Sequence, residues 1–307
     1  MAGRGGGAFV LVALCLLELS LHVASAATAT APAPAPQGLV PAMFVFGDST
    51  VDVGNNNKLP GCKLECRANY PQYGVDYPSS RAPTGRFSNG KNLADFIATF
   101  LGFEESPPAY HSLPAKGIVP QMKSGVNFAS GGSGLQENTG QLPELYAVGA
   151  RKFSIVSPSL VGCCPSQRAV ALTHDNDTDQ FNCFGAANKL SRQLYPLIDS
   201  MLQGLNADLD GMNYSLSDSV KMAEMVFASG GKAVNMTVVD TACCAGKGRF
   251  GEGQCNTSAK LCPNRNDFMF WDGFHPTEAA SLAAAFELFG DTGEYLHPMN
   301  VRQLAAL

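Results

Sequence analysis

Two short stretches of this chain hold residue types that together suit acyl chemistry. The first is Phe46-Gly47-Asp48-Ser49, where a serine follows a short apolar run. A serine just past the carboxyl end of a buried strand lies where open α/β sheets place their ligand sites. Gly47 permits a sharp turn, and the Asp48 side chain can hydrogen-bond within it. The second stretch is Trp271-Asp272-Gly273-Phe274-His275-Pro276. A serine nucleophile needs a base to take its proton, and the base needs a carboxylate to fix its tautomer. Asp272 and His275 are three residues apart, so a single turn can supply both. Each stretch also has a plainer reading. The first can be an ordinary turn, and the second a helix-capping aspartate beside a surface histidine. No Gly-x-Ser-x-Gly surrounds Ser49, so the usual α/β-hydrolase elbow is not what is here. Of the other histidines, His22, His111, His174 and His297, only His174 has an adjacent carboxylate, Asp175, and it sits in a polar loop.

The elements that would position these residues read as strands alternating with helices. Ala42-Met43-Phe44-Val45-Phe46 is a short apolar run closed by Gly47 and predicts a buried strand. Residues 52–90, rich in Gly, Pro, Asn and Tyr, read as a long loop. Leu93, Phe96, Ile97 and Leu101 have the spacing of an amphipathic helix over 91–102. Gly125 to Ser130 predicts a second strand running into Gly131, Gly132 and Gly134. Further on, a short helix is expected over 142–148, a strand over 151–157 and a long helix over about 186–209, which Pro196 should kink or divide. A strand at 214–216 and helices at 219–227 and 277–289 follow, with Pro276 beginning the last. The pattern implies one α/β domain with a parallel sheet and helices on both faces.

A formal charge of −5 and the absence of any basic run argue against nucleic acid or an anionic membrane as the main partner. Residues 1–26 read as a signal peptide. Arg4 forms the basic start, Ala8–Leu21 an apolar stretch too short and too polar for a comfortable span, and Ala24-Ser25-Ala26 a cleavage pattern. Residues 27–40 form an Ala/Pro-rich leader, and the domain is expected over 41–307. Secretion implies an oxidising compartment, where most of the nine cysteines beyond Cys15 should pair. Cys62 with Cys66 and Cys255 with Cys262 are candidate local bridges, and the odd count leaves at least one thiol. A metal site lacks any Cys-x-x-Cys pair or nearby histidine, and none is expected. Sequons at Asn176, Asn213, Asn235 and Asn256 fit a glycosylated surface.

From Pro41-Ala42-Met43-Phe44-Val45-Phe46-Gly47-Asp48-Ser49 to Asn56, the chain resembles the first block of plant GDSL esterase/lipases, members of the SGNH hydrolase superfamily. Gly85-Arg86-Phe87-Ser88-Asn89-Gly90-Lys91, Gly125 to Gly134, Gly149-Ala150-Arg151-Lys152-Phe153, Cys163-Cys164-Pro165-Ser166-Gln167-Arg168 and Leu261 to Ala280 are similar to later signatures, in order. The resemblance implies a three-layer α/β/α sandwich on a parallel, flavodoxin-like sheet and a secreted enzyme that hydrolyses carboxylic esters of lipids or the cell wall. It implies Ser49 as nucleophile, His275 as general base then acid, and Asp272 as the orienting carboxylate. The backbone N–H groups of Ser49 and Gly131 would form the oxyanion hole, with no cofactor and no metal.

One departure is plain in the residues. The family has a third block, a buried strand ending in Gly-x-Asn-Asp, whose first asparagine completes the oxyanion hole. Here Gly134–Gly140 runs almost directly into Gln141-Leu142-Pro143-Glu144-Leu145-Tyr146-Ala147, and the tetrapeptide occurs nowhere. Asn127 belongs to the second block and Asn266 to the last. The missing donor implies a rate lower by about 10²–10³. The missing central strand and its flanking helices imply neighbours that re-pair or leave open edges. The alternatives are a catalytically silent secreted relative, or a non-productive product of splicing or of the gene model. The sequence names neither the ester nor the oligomeric state.

Overall fold

The computed structural model describes residues 38–78, 83–114, 122–134 and 142–307, apart from the side chains of 142–144. The expected signal peptide, 1–26, and most of the leader, 27–40, lie outside these residues. In chain order the helices and strands are α1 (Asn55–Lys58), α2 (Leu93–Phe100), α3 (Leu142–Ala147), β1 (Lys152–Val156), α4 (Pro165–Thr173) and α5 (Gly185–Asp208). There follow β2 (Asn213–Ser217), α6 (Ser219–Ala228), β3 (Val238–Ala242), β4 (Cys244–Ala245), β5 (Lys260–Leu261), β6 (Phe268–Phe270), α7 (Glu278–Gly290), β7 (Leu296–His297) and α8 (Val301–Ala306). Residues 38–307 pack as one compact unit.

Two of the strand pairs are parallel, as the alternating pattern leads one to expect, and two are antiparallel. β1 and β2 run parallel in register, Phe153 opposite Tyr214 and Ile155 opposite Leu216, with β7 antiparallel on the far side of β2. β3 and β6 form a second parallel pair. β4 and β5 form a third, antiparallel sheet, so the described strands make three small sheets and not one continuous one. The early segments run parallel, bridging Val45 with Asn127 and Ala109 with Asn127, and backbone hydrogen bonds flank each bridge. The run 42–46 is not the fully buried strand expected. Met43, Val45 and Gly47 bond toward the 124–130 segment, whereas Phe44 and Phe46 are about half exposed, at 50% and 49%. Successive side chains of an extended run point to opposite faces, so Phe44 and Phe46 share a face that stays half open while Val45 is buried on the other.

The helices follow their patterns closely. α2 begins at Asn92, whose side chain accepts the Asp95 N–H while Asp95 returns a bond to the Asn92 N–H, a reciprocal capping box. Asp95 also takes a two-pronged contact from Arg86 at 2.6 and 2.7 Å, so the cap is tied to the loop that precedes it. α5 passes through Pro196 without dividing, and its buried Leu202 packs with Phe153, Met212, Tyr214 and Leu216. α7 starts one residue later than expected. Thr277 is its cap, with Oγ1 accepting the Ala280 N–H, and Pro276 stays outside the helix, bridging to Phe270. The cap wins because a threonine oxygen satisfies an end N–H that proline can only leave out. α7 packs Ala285 and Leu288 against Phe96 and Ile97 of α2 and against Leu101, which follows it, in the main apolar cluster. Each large side chain so buried contributes about 1.5–3 kcal/mol.

Four disulfides join described cysteines: Cys62–Cys66, Cys163–Cys183, Cys243–Cys262 and Cys244–Cys255. The first was expected, but Cys255 does not pair with Cys262. The β4–β5 ladder brings the Cys262 N–H to the Cys243 carbonyl at 2.9 Å. Adjacent residues on extended backbone point to opposite faces, so Cys243 and Cys244 take different partners. Cys164 is left as the free thiol among the described cysteines. No helix among the described residues is long and apolar enough to cross a membrane.

The loop after Ser49 is organised by a fully buried carboxylate. Asp52 Oδ1 accepts the N–H groups of Gly54 and Asn55 at 2.8 and 2.7 Å, and Oδ2 those of Asn56 and Gly131, both at 3.2 Å. Replacing Asp52 by Asn would put an NH₂ group where two N–H donors now find an acceptor. The Asp52→Asn variant is expected to lose about 1–3 kcal/mol of stability in urea unfolding. An unchanged unfolding midpoint would show that the loop keeps its shape without the carboxylate.

Candidate active site

Ser49 stands at the end of the first apolar run, and its turn is shaped by its neighbours. Gly47 has φ +155°, and a Cβ there would press on the Val51 side chain at 2.7 Å. Asp48 Oδ1 accepts from the Thr50 N–H and hydroxyl at 2.8 and 2.6 Å, closing the turn. Asp272 and His275 come from the turn between β6 and α7. That turn is pinned by the Trp271 N–H on the His275 carbonyl at 2.7 Å and by the Ser166 N–H on the Gly273 carbonyl at 2.9 Å. Trp271 is fully buried beneath it.

These separate elements bring three side chains into one line. His275 Nε2 lies 2.7 Å from Ser49 Oγ across 226 residues of sequence. On the other face of the ring, Nδ1 lies 2.8 and 2.9 Å from the two Asp272 oxygens. Asp272 Oδ1 also accepts the N–H groups of Phe274 and His275, each at 2.9 Å. Burial works against the Asp272 charge, but His275 and these donors outweigh it and hold the carboxyl below its ordinary range. Burial likewise lowers His275, yet the paired Asp272 and nearby Asp48 outweigh it and raise the imidazole above its ordinary 6.5. The arrangement can move a proton from the serine to the imidazole, with a fixed negative charge behind.

Two side chains that sequence spacing did not single out complete the surroundings. The Tyr73 hydroxyl donates to Asp272 Oδ2 at 2.9 Å. The Phe87 ring lies 4.8 Å from the His275 ring and 5.9 Å edge-on from Tyr73. Nothing local in the loop 52–90 marks either residue, because their partners are almost two hundred positions away. Cys164 also lies here, its Sγ against the Phe274 carbonyl at 3.5 Å, and burial pushes its thiol up to about 12. It is therefore no thiolate competitor to Ser49.

The residues expected to bind a developing oxyanion are placed as follows. Among the described residues no acceptor engages the Ser49 N–H. The Gly131 N–H points to Asp52 Oδ2. A Cβ on Gly131 would meet Asn56 Nδ2 at 2.7 Å and Phe87 at 3.0 Å, so glycine is needed for the close approach. The buried amides nearby are committed to the backbone. Asn55 Nδ2 donates to the Asn127 and Ala129 carbonyls, Asn56 Nδ2 to those of Cys66 and Gly131, and Asn127 Nδ2 to that of Val51. Among the described residues no group of His, Cys, Asp and Glu side chains is arranged to hold a metal ion.

The chain is similar along most of its length to known plant proteins. GDSL esterase/lipase At1g33811 of Arabidopsis thaliana is 29% identical over 356 aligned positions, covering 88% of this chain and 92% of the relative. GDSL esterase/lipase At1g71691 is 29% identical over 88% of this chain and 87% of its own length, and GDSL esterase/lipase 7 is 27% identical over 88% and 93%, both from the same plant. The first alignment is longer than the whole 307-residue chain, so the relative carries segments opposite gaps here. The family model for GDSL-like lipase/acylhydrolases matches as two overlapping pieces, residues 43–148 and 135–288. The chain belongs to the GDSL-like lipase/acylhydrolase family.

Proposed function

We propose that this chain is a secreted serine hydrolase of carboxylic esters that works through Ser49, His275 and Asp272. The observation that carries the reading is the line of hydrogen-bond distances, 2.7 Å from Ser49 to His275 and 2.8 Å from His275 to Asp272. The names of the relatives support an ester as substrate. Ser49 Oγ attacks the ester carbonyl carbon while His275 Nε2 takes its proton, and Asp272 stabilises the imidazolium from behind. The tetrahedral oxyanion accepts from the Ser49 N–H and from that of Gly131, which must turn part of its bond away from Asp52. Its collapse expels the alcohol, which takes the proton from His275. Water then attacks the acyl-enzyme by the same route and releases the acid.

The same reading takes the fold as an α/β/α sandwich with a parallel, flavodoxin-like sheet interrupted at one central position. Parallel pairing in β1–β2 and β3–β6 supports it. Four disulfides support passage through an oxidising compartment after removal of residues 1–26. A silent relative is the second reading, and the committed buried amides together with the absent Gly-x-Asn-Asp favour it. Loss of one oxyanion donor slows chemistry by about 10²–10³ without abolishing it, so the first reading stands.

Hydrolysis of p-nitrophenyl butyrate by the purified chain is expected to fall at least ~10³-fold in Ser49→Ala. Equal rates for the two proteins would remove Ser49 from the mechanism. The pH dependence has a defined sign. The base must be neutral, and its raised folded value means activity is lost as pH falls through a point above 6.5. A kcat/KM profile flat down to pH 5 would exclude His275 as the base.

A further inference from the structure

We propose, on the reading just given, that Tyr73 is a positioning residue of this site. Its hydroxyl holds the Asp272 carboxylate in the orientation that fixes the His275 ring. His275 Nδ1 lies between the two oxygens of Asp272, 2.8 Å from Oδ1 and 2.9 Å from Oδ2. Oδ1 also accepts two backbone N–H groups from its own turn, at 2.9 Å each. Oδ2 has one donor besides the ring, the Tyr73 hydroxyl at 2.9 Å. The terminal torsion of an aspartate is broad, so without Tyr73 the carboxylate would be pinned at Oδ1 alone and free to rock about that bond. Rocking would carry Oδ2 away from Nδ1 and leave the ring that must meet Ser49 held through one oxygen.

Tyr73 is suited to that task in three respects. It is buried, at 7% exposure, and burial with the neighbouring Asp272 charge drives its phenol far above the ordinary range, so the group stays a donor. It is uncharged, so it orients the carboxylate without cancelling the charge that the imidazolium requires; an arginine there would not leave that charge free. It is also fixed from outside the turn that it supports. Gly74, at φ +84°, donates to the Ser88 carbonyl at 2.8 Å, and Asp76 to the Asn89 carbonyl at 2.7 Å. Asn89 Oδ1 in turn accepts the N–H of Glu278, the first residue of α7, at 2.8 Å. The Tyr73 loop and the Asp272–His275 turn are therefore braced against one another at both ends. Were Tyr73 only a packing residue, its ring against Phe87 would suffice and its hydroxyl would be dispensable.

Tyr73→Phe separates these roles, because it keeps the ring and removes one oxygen. The titratable groups facing the pair are Asp48 beside His275, Cys164 beside Asp272 and Tyr70 beside Tyr73, and the variant leaves all three in place. Two readouts apply to the folded variant. With p-nitrophenyl butyrate, kcat is expected to fall about tenfold with KM within about twofold. By NMR, the His275 ring is expected to titrate at higher pH than in the wild type, since an undamped Asp272 charge holds the imidazolium more firmly. Incorporating 3-fluorotyrosine at Tyr73, a stronger donor of nearly the same size, is expected to move the titration the other way. The NMR readout does not need turnover. Should the wild-type chain prove inactive, the reading of the function fails while opposite shifts in the two variants still support the positioning role. A His275 titration unmoved by both variants overturns the role, whether or not the chain is active.

Discussion

The Asp52 carboxylate, fully buried, gathers backbone N–H groups from two distant parts of the chain: Gly54, Asn55 and Asn56 just after the serine turn, and Gly131 in the second glycine cluster. A buried acceptor of this kind is costly unless its oxygens are filled, and here both are filled twice. Around it Asn55, Asn56 and Asn127 spend their amides on carbonyls of the opposite segment. Burial still raises the Asp52 carboxyl above its ordinary value, against the four backbone donors that lower it. This polar knot adds to the backbone hydrogen bonds between the two segments, from Met43 N–H to the Ser124 carbonyl through Ser130 N–H to the Gly47 carbonyl, and together they tie the serine turn to the second glycine cluster.

The reactive side of that knot depends on a second balance. Asp272 is held ionised against burial, and it raises His275, which must be neutral to act. Catalysis at neutral pH needs that rise to be limited, and uncharged donors on Asp272 limit it by spreading its charge. The N–H groups of Phe274 and His275 and the Tyr73 hydroxyl are all of this kind. In the proposed mechanism the base and its carboxylate are both drawn from described residues. Its oxyanion side is thinner, because the nearby amides are tied to the backbone and the Gly-x-Asn-Asp tetrapeptide is absent from the sequence.

Legibility from sequence tracked how local each cause was. The elements α2, α5, β1 and β2 are legible because periodicity acts within a few residues, whereas the Thr277 cap of α7 is not, since Pro276 offers a rival start one residue earlier. Asp272 and His275 were readable because their spacing of three is itself the contact. Tyr73, by contrast, acts across 199 positions, and no local pattern announces it. The partners of Cys243 and Cys244 were set by the β4–β5 ladder and the alternation of extended backbone, which the simple proximity of Cys255 and Cys262 concealed. The run 42–46 was misjudged as fully buried because burial depends on what covers both faces, and the sequence of one segment does not reveal what will cover each. The lack of a Gly-x-Asn-Asp tetrapeptide, by contrast, is read directly from the residues.

The central claim is that Ser49 is an activated nucleophile even though the Gly-x-Asn-Asp tetrapeptide is missing. Reaction of the folded, monodisperse protein with a fluorophosphonate, followed by peptide mass mapping, tests it most directly, because labelling needs an activated serine but no particular ester. The account predicts one adduct per chain on the peptide containing Ser49, lost in Ser49→Ala. A protein that unfolds cooperatively yet carries no adduct at Ser49 would contradict the account and leave a silent member of the family.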